Sequence, residues 1–116
     1  MPVERALTAY QKERLNCAQS VLKGFQVRKN IPDGAVLDAA RLGGGRAENG
    51  VCGALHVALT LAADPSVRER VRTEFMAAAG SEKCRDIRGT DQVPCAECVR
   101  LAASLLVKHE GGPGPA

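Results

Sequence analysis

The sequence predicts an all-α protein, a single domain built as a bundle of about four to five helices. Three observations carry this. Apolar residues recur at steps of three, four and seven along most of the chain, the repeat of an amphipathic helix. Helix start and stop signals punctuate the repeat, and no stretch alternates with the period of a strand. Tyr10, Phe25 and Phe75 are the only aromatics, so the core must come from Ala, Leu and Val, which suits closely packed helices.

The first helix is expected from about Val3 to Lys29, where Leu7, Tyr10, Cys17, Val21 and Phe25 line one face. Gly24 is a mild interruption within it. Ile31-Pro32-Asp33-Gly34 ends it, because proline removes a donor and biases the residue before it away from helix. A short helix follows near Ala35 to Arg41, then a loop marked by Gly43-Gly44-Gly45 and Asn49-Gly50. The next helix is expected from Asn49, a good N-cap, to about Ala62, burying Val51, Leu55, Ala58, Leu59 and Ala62. Asp64-Pro65 starts another, an N-cap followed by proline at the first helical position. Val67, Val71 and Phe75 step by four along its inner face, and Gly80 sits where a left-handed C-cap belongs. Ser81 to Val93 is a connector containing Cys84. The last helix opens near Pro94 and runs to about Lys108, with Cys95, Cys98, Val99, Ala102, Leu105 and Leu106 on its apolar face. The helical domain spans residues 1–110, and residues 111–116 form a flexible glycine- and proline-rich tail.

Composition excludes several classes. With 116 residues, 45% apolar and 25% charged, a helical chain buries a core without disulfide or metal staples. A net charge of +3 is mild. Arg68, Arg70 and Arg72 alternate with Glu69 and Glu74 as on a solvated helix face, which argues against nucleic acid as a partner. No segment approaches the roughly 20 apolar residues of a membrane span, and no apolar leader follows Glu4 and Arg5. The expected compartment is the cytoplasm, where thiols stay reduced and clustered cysteines serve catalysis or metals more often than structural disulfides.

The five cysteines carry what chemistry there is: Cys17, Cys52, Cys84, Cys95 and Cys98, separated by 34, 31, 10 and 2 residues. The odd count does not suit a fully paired disulfide framework. The spacing lacks the two close knuckles of a zinc finger. Cys52 and Cys95 fall in the first turn of a helix, and Cys84 lies just before one. A convergence of helix starts would gather them at one end of the bundle. Helix N-termini favour thiolate, the form that binds metal or attacks a disulfide. Four thiolates suit an iron–sulfur cluster or zinc; two suit disulfide exchange. Cys95-Ala-Glu-Cys98 is a CxxC at a helix start, without the βαβ surroundings of a thioredoxin. Cys17 and Cys98 lie on apolar faces, where cysteine also serves as a small hydrophobe. His56, one turn after Cys52, is a candidate substitute ligand or proton donor, or a structural histidine. His109 suits a helix C-terminus, where a cation is favourable.

Gly50-Val51-Cys52-Gly53-Ala54-Leu55, with the other cysteines, resembles the C-GCAxxG-C-C family of redox-active proteins over nearly the whole chain. Asn16-Cys17-Ala18-Gln19-Ser20-Val21-Leu22 is similar to its first cysteine segment. Gly43-Gly44-Gly45 with the Cys52 segment is similar to its central motif, Gly80-Ser81-Glu82-Lys83-Cys84-Arg85 to its third element, and Cys95 with Val99 and Ala102-Ala103 to its fourth. The match departs at Val57, preceded by His56, where the central motif has glycine. The resemblance implies Cys17, Cys52, Cys84 and Cys95 as the shared set, Cys98 as an extra, and redox activity or a bound cofactor.

Three functions follow as expectations. One is electron transfer through an iron–sulfur cluster, or less readily zinc or another metal, held by Cys17, Cys52, Cys84 and Cys95. The second is a metal-free thiol–disulfide protein using Cys95 and Cys98 or a long-range pair. The third is a helical interaction module with structural cysteines. No catalytic acid–base constellation marks the chain as an enzyme. The first two imply a redox partner protein, and a site shared by a homodimer is compatible with either.

Overall fold

A computed structural model describes residues 2–42, 50–83, 87 and 95–110, the side chains of Leu42, Cys95 and Glu110 excepted. It is all-α. The described residues hold six α-helices: α1 (Pro2–Gln11), α2 (Cys17–Lys29), α3 (Asp33–Asp38), α4 (Gly53–Leu61), α5 (Pro65–Ala79) and α6 (Cys95–Glu110). A 3₁₀ turn, Ala39–Leu42, continues α3. The expected start at Asn49, the Gly43-Gly44-Gly45 loop, most of the 81–93 connector and the 111–116 tail lie outside the described residues.

The count exceeds four to five because the segment that reads as one helix from Val3 to Lys29 is two. Arg14 takes a left-handed φ of 59°, which ends the run after α1. Asn16 then restarts it. Its side chain accepts the Gln19 N–H at 2.7 Å while the Gln19 amide oxygen accepts the Asn16 N–H at 3.1 Å, a reciprocal capping box. Asn16 Nδ2 also donates to the Ala39 and Ala40 carbonyls, at 3.1 and 2.9 Å, and Gln19 Nε2 to the Val36 carbonyl. The start of α2 is thereby fastened to α3 and its 3₁₀ extension. With the break, the buried face of α1 becomes Ala6 and Ala9, and Leu7 and Tyr10 are only partly buried.

Gly24 does not interrupt α2; it admits α1. A Cβ built there would lie 2.5 Å from the Pro2 carbonyl oxygen and 2.9 Å from Ala6 Cβ. Only a residue without a side chain lets the two backbones approach so closely. At the far end Asn30 closes α2 in the left-handed region, its N–H bonding the Gln26 carbonyl.

The later helices follow their local signals. Asp64 caps α5 by accepting the Ser66 N–H at 2.9 Å, with Pro65 next. Gly80 ends it at φ 88°. Val67, Val71 and Phe75 are buried as their spacing predicts. α4 starts later than expected, with Cys52 rather than Asn49 as its N-cap residue. One isolated bridge pairs Val51 with Lys83, and the Cys52 N–H donates to the Glu82 carbonyl at 2.8 Å. These contacts hold the start of α4 against the segment after α5.

α6 is the hub: it packs against α1, α2, α4 and α5. Phe25, Leu55, Phe75, Ile87 and Leu106 are the largest fully buried side chains, and alanines of α1, α2, α4 and α6 fill the close helix contacts between them. Ile87, inside the predicted connector, is a core residue; its N–H donates to the Lys83 carbonyl at 3.0 Å. Among the described residues no helix is long and apolar enough to cross a membrane.

Candidate functional site

α2, α4 and α6 all pack on one another, and each brings a cysteine from its first turn or its cap. Cys17 is the first residue of α2, placed there by the Asn16 cap. Its seven-residue step from Tyr10 suggests the middle of one long face; it is a helix start. Cys52 precedes Gly53 at the N-cap of α4. Cys98 is the fourth residue of α6. All three are buried thiols within the same apolar cluster as Val21, Leu55 and Val99.

Cys52 is in hydrogen-bonding contact with both Cys17 and Cys98. The contact with Cys17 favours the Cys52 thiolate; the contact with Cys98 disfavours it, and so does burial. The Leu55 N–H also favours the charged form, although it makes no side-chain cap with Cys52. Cys98 and burial prevail, and the Cys52 thiol is pushed up to about 12. Cys52 is thus the member with a thiol partner on each of two other helices. The expectation that a helix start would make Cys52 a thiolate is therefore corrected. The partial charge of a short helix end is worth less than removing an anion from water in an apolar core.

Of the four cysteines expected to act together, Cys17 and Cys52 are brought into contact. Cys84 and the side chain of Cys95 lie outside the described residues. The third member of the described cluster is Cys98, the residue that the family resemblance leaves as an extra. Its signal is the apolar stripe of the last helix, which aims it at the same core as Cys17.

Among the described residues no group of three or more His, Cys, Asp or Glu side chains is arranged to hold a metal ion. An iron–sulfur cluster draws on four thiolates. Three thiols, one of them held protonated, do not by themselves fit that group.

His56 belongs to a different feature. It lines a surface cleft of about 250 Å³ with Asp38, Arg41 and Thr60 over a floor that includes Leu22 and Val57. Its N–H donates to the Cys52 carbonyl at 2.8 Å, the first backbone bond of α4. Val57 is buried there.

At the opposite end of α6, Lys108 and His109 both reach the Glu74 carboxylate, at 3.1 and 2.6 Å, clamping α6 to α5. The Lys108 ammonium, with His109, holds Glu74 below its ordinary value. His109 so acts as a bridging side chain between the two longest described helices.

No family model, no curated protein and no solved structure matches the chain.

Proposed function

We propose that this chain is a redox-active protein whose centre is the Cys17–Cys52–Cys98 cluster, working as a dithiol–disulfide couple. The observation that carries the reading is that Cys17, Cys52 and Cys98 are buried in one core cluster with Cys52 partnered by the other two thiols, in a chain whose core needs no covalent staple. Cysteine as a small hydrophobe accounts for each residue alone. It does not account for Cys52 having thiol partners on two other helices.

Oxidation joins two of the thiols and delivers two electrons and two protons to an acceptor. A disulfide on a partner supplies the matching acceptor, being reduced to two thiols in return. The protonated state of Cys52 keeps the reduced centre inert toward stray oxidants, since the thiolate is the reactive form. A reducing compartment such as the cytoplasm, and a disulfide-bearing partner protein, belong to this reading.

Thiol counting tests it. The reduced chain carries five thiols. After glutathione disulfide and removal of excess reagent, three should remain, and peptide mapping should find the missing pair among Cys17, Cys52 and Cys98. Five remaining thiols in the folded protein would end the proposal.

A second reading keeps the cluster expected from the family resemblance, with Cys17, Cys52, Cys84 and Cys95 as ligands. The Val51–Lys83 bridge and the bond from Cys52 to Glu82 favour it, because they bring the residues leading to Cys84 against the start of α4. Anaerobic purification with iron and sulfide analysis decides. Stoichiometric iron and sulfide with a visible chromophore would establish this reading over the first, and their absence would remove it.

A further inference from the structure

The cleft beside His56 is lined by none of the thiols. Three elements build it. α2 contributes Leu22, α4 contributes Val57, and α3 with its 3₁₀ extension contributes Ala35 and Ala39, an apolar floor under about 250 Å³. Around that floor stand Asp38 at the end of α3, Arg41 in the 3₁₀ turn, and His56 and Thr60 one turn apart on α4. The wall is fixed in place. Gln19 Nε2 donates to the Val36 carbonyl at 3.1 Å, and Asn16 Nδ2 to the Ala39 and Ala40 carbonyls at 3.1 and 2.9 Å, so the short α3 is tied to the start of α2. A site shaped before binding saves the cost of ordering it on binding.

The polar lining sorts into acceptors and donors. Thr60 Oγ1 spends its hydrogen on the His56 carbonyl at 2.9 Å, which leaves its lone pairs to accept. Asp38 is the second acceptor. Arg41 is a donor, and the His56 ring offers an N–H in either charge state. Asp38 and Arg41 are three residues apart, a spacing at which opposite charges on a helical turn meet. They are not joined: among the described residues neither side chain, nor the His56 ring, has an ion-pair or hydrogen-bond partner. Two opposite charges that do not neutralise each other, set around an apolar floor, suit a molecule that carries both.

We propose that this cleft binds a small zwitterion with an apolar body, the chemical class of an aliphatic amino acid. Asp38 and Thr60 take the ammonium, Arg41 and His56 take the carboxylate, and the side chain lies on Leu22, Ala39 and Val57. A simple anion would meet the like charge of Asp38, and a simple cation that of Arg41. Drug-sized ligands fill clefts of about 300–1,000 Å³, so a cleft of about 250 Å³ sets the ligand below that size. The proposal does not rest on the thiol centre, and each stands or falls without the other.

Titration of the isotope-labelled, fully reduced chain with L-leucine, followed by amide NMR shifts, tests it. Saturable shifts should appear at Ala35, Ala39, His56 and Val57 at millimolar leucine. Three controls each lack one feature: isovalerate the ammonium, isopentylamine the carboxylate and glycine the apolar side chain. Each should bind at least about tenfold more weakly, the worth of one charged hydrogen bond or one covered aliphatic group. Asp38→Asn and Arg41→Gln should weaken leucine by a similar factor. Both side chains are exposed, so the fold should be unaffected. Absence of saturable shifts in the cleft, or any of the three controls binding as tightly as leucine, overturns the proposal. The ligand series on the wild-type chain decides it even where a variant does not fold.

Discussion

Replacing Gly24 by alanine sets two effects against each other, and the structure decides between them. Alanine in a helix interior is favoured over glycine by about 1 kcal/mol. At Gly24 the added methyl group would lie 2.5 Å from the Pro2 carbonyl oxygen, 2.9 Å from Ala6 Cβ and 3.2 Å from the Ala6 nitrogen. Two of these neighbours are backbone, so no side chain can swing aside. Overpacking of this kind costs about 1–3 kcal/mol, and backbone neighbours place the site in the upper half of that range. The net expectation for Gly24→Ala is a loss of about 1–2 kcal/mol, a fall in Tm of about 3–12 °C in a domain of this size. Gly34→Ala is the control. Gly34 lies in α3 with nothing within 4 Å of a built Cβ, so the same substitution should stabilise by about 0.4–1 kcal/mol. Urea denaturation of both variants, with hydrogen exchange over α1, measures the contrast. Gly24→Ala should also speed exchange in α1 selectively. If Gly24→Ala stabilises as Gly34→Ala does, α1 does not seat on α2 as described.

Three further outcomes follow from named contacts. Asn16→Ala removes the cap of α2 and both bonds to the α3 extension and should cost about 2–3 kcal/mol; Asn16→Asp, which keeps the cap and loses the donors, should recover about half of this in the same urea titration. At pH 8 a thiol at its ordinary value of 9.0 is about one-tenth ionised, whereas one at about 12 is about one ten-thousandth ionised. Native Cys52 should therefore alkylate with iodoacetamide at least about a thousandfold more slowly than in the unfolded chain, and a ratio near one by peptide mapping would refute its protonated state. Glu74 is held below its ordinary value of 4.5 by Lys108 and His109, so its stabilising contribution is present above that value and lost as pH falls through the lowered one. Acid titration of wild type and Glu74→Gln should converge at low pH and diverge toward neutrality, where the variant lacks the α5–α6 clamp.

The parts of the fold legible in the sequence are those set by neighbours in the chain. α5 is bounded by Asp64-Pro65 and Gly80 and phased by Val67, Val71 and Phe75, all local signals. α6 is equally clear from its stripe. The break between α1 and α2 is hidden because Tyr10 and Cys17 keep a seven-residue step across it, so the apolar repeat reads as continuous. The opposing signal, Asn16 followed by Gln19, is a capping box and is present in the residues. Gly24 reads as a weak point because its role depends on a second helix arriving against it. The same limit hides the cluster. Cys98 pairs with Cys95 as a CxxC, a local pattern, while its contact with Cys52 depends on how α4 and α6 cross. The gathering expected of Cys52, Cys84 and Cys95 rests on two side chains outside the described residues, and Cys17, which reads as mid-helix, stands at a helix start because Asn16 caps α2. The protonated state of Cys52 is not legible either, because burial is a property of the whole packing.

Under the proposed dithiol–disulfide reading, three thiols linked through Cys52 have a parity that two or four lack. Whether Cys17 or Cys98 closes onto Cys52, one sulfur is left over, a partner of the Cys52 end of the new bond. On that reading one disulfide within the three thiols stores two electrons, and internal pairing alone leaves one sulfur as a thiol. That thiol can move the bond from one pair to the other by exchange, while reopening it fully takes two electrons from an external dithiol.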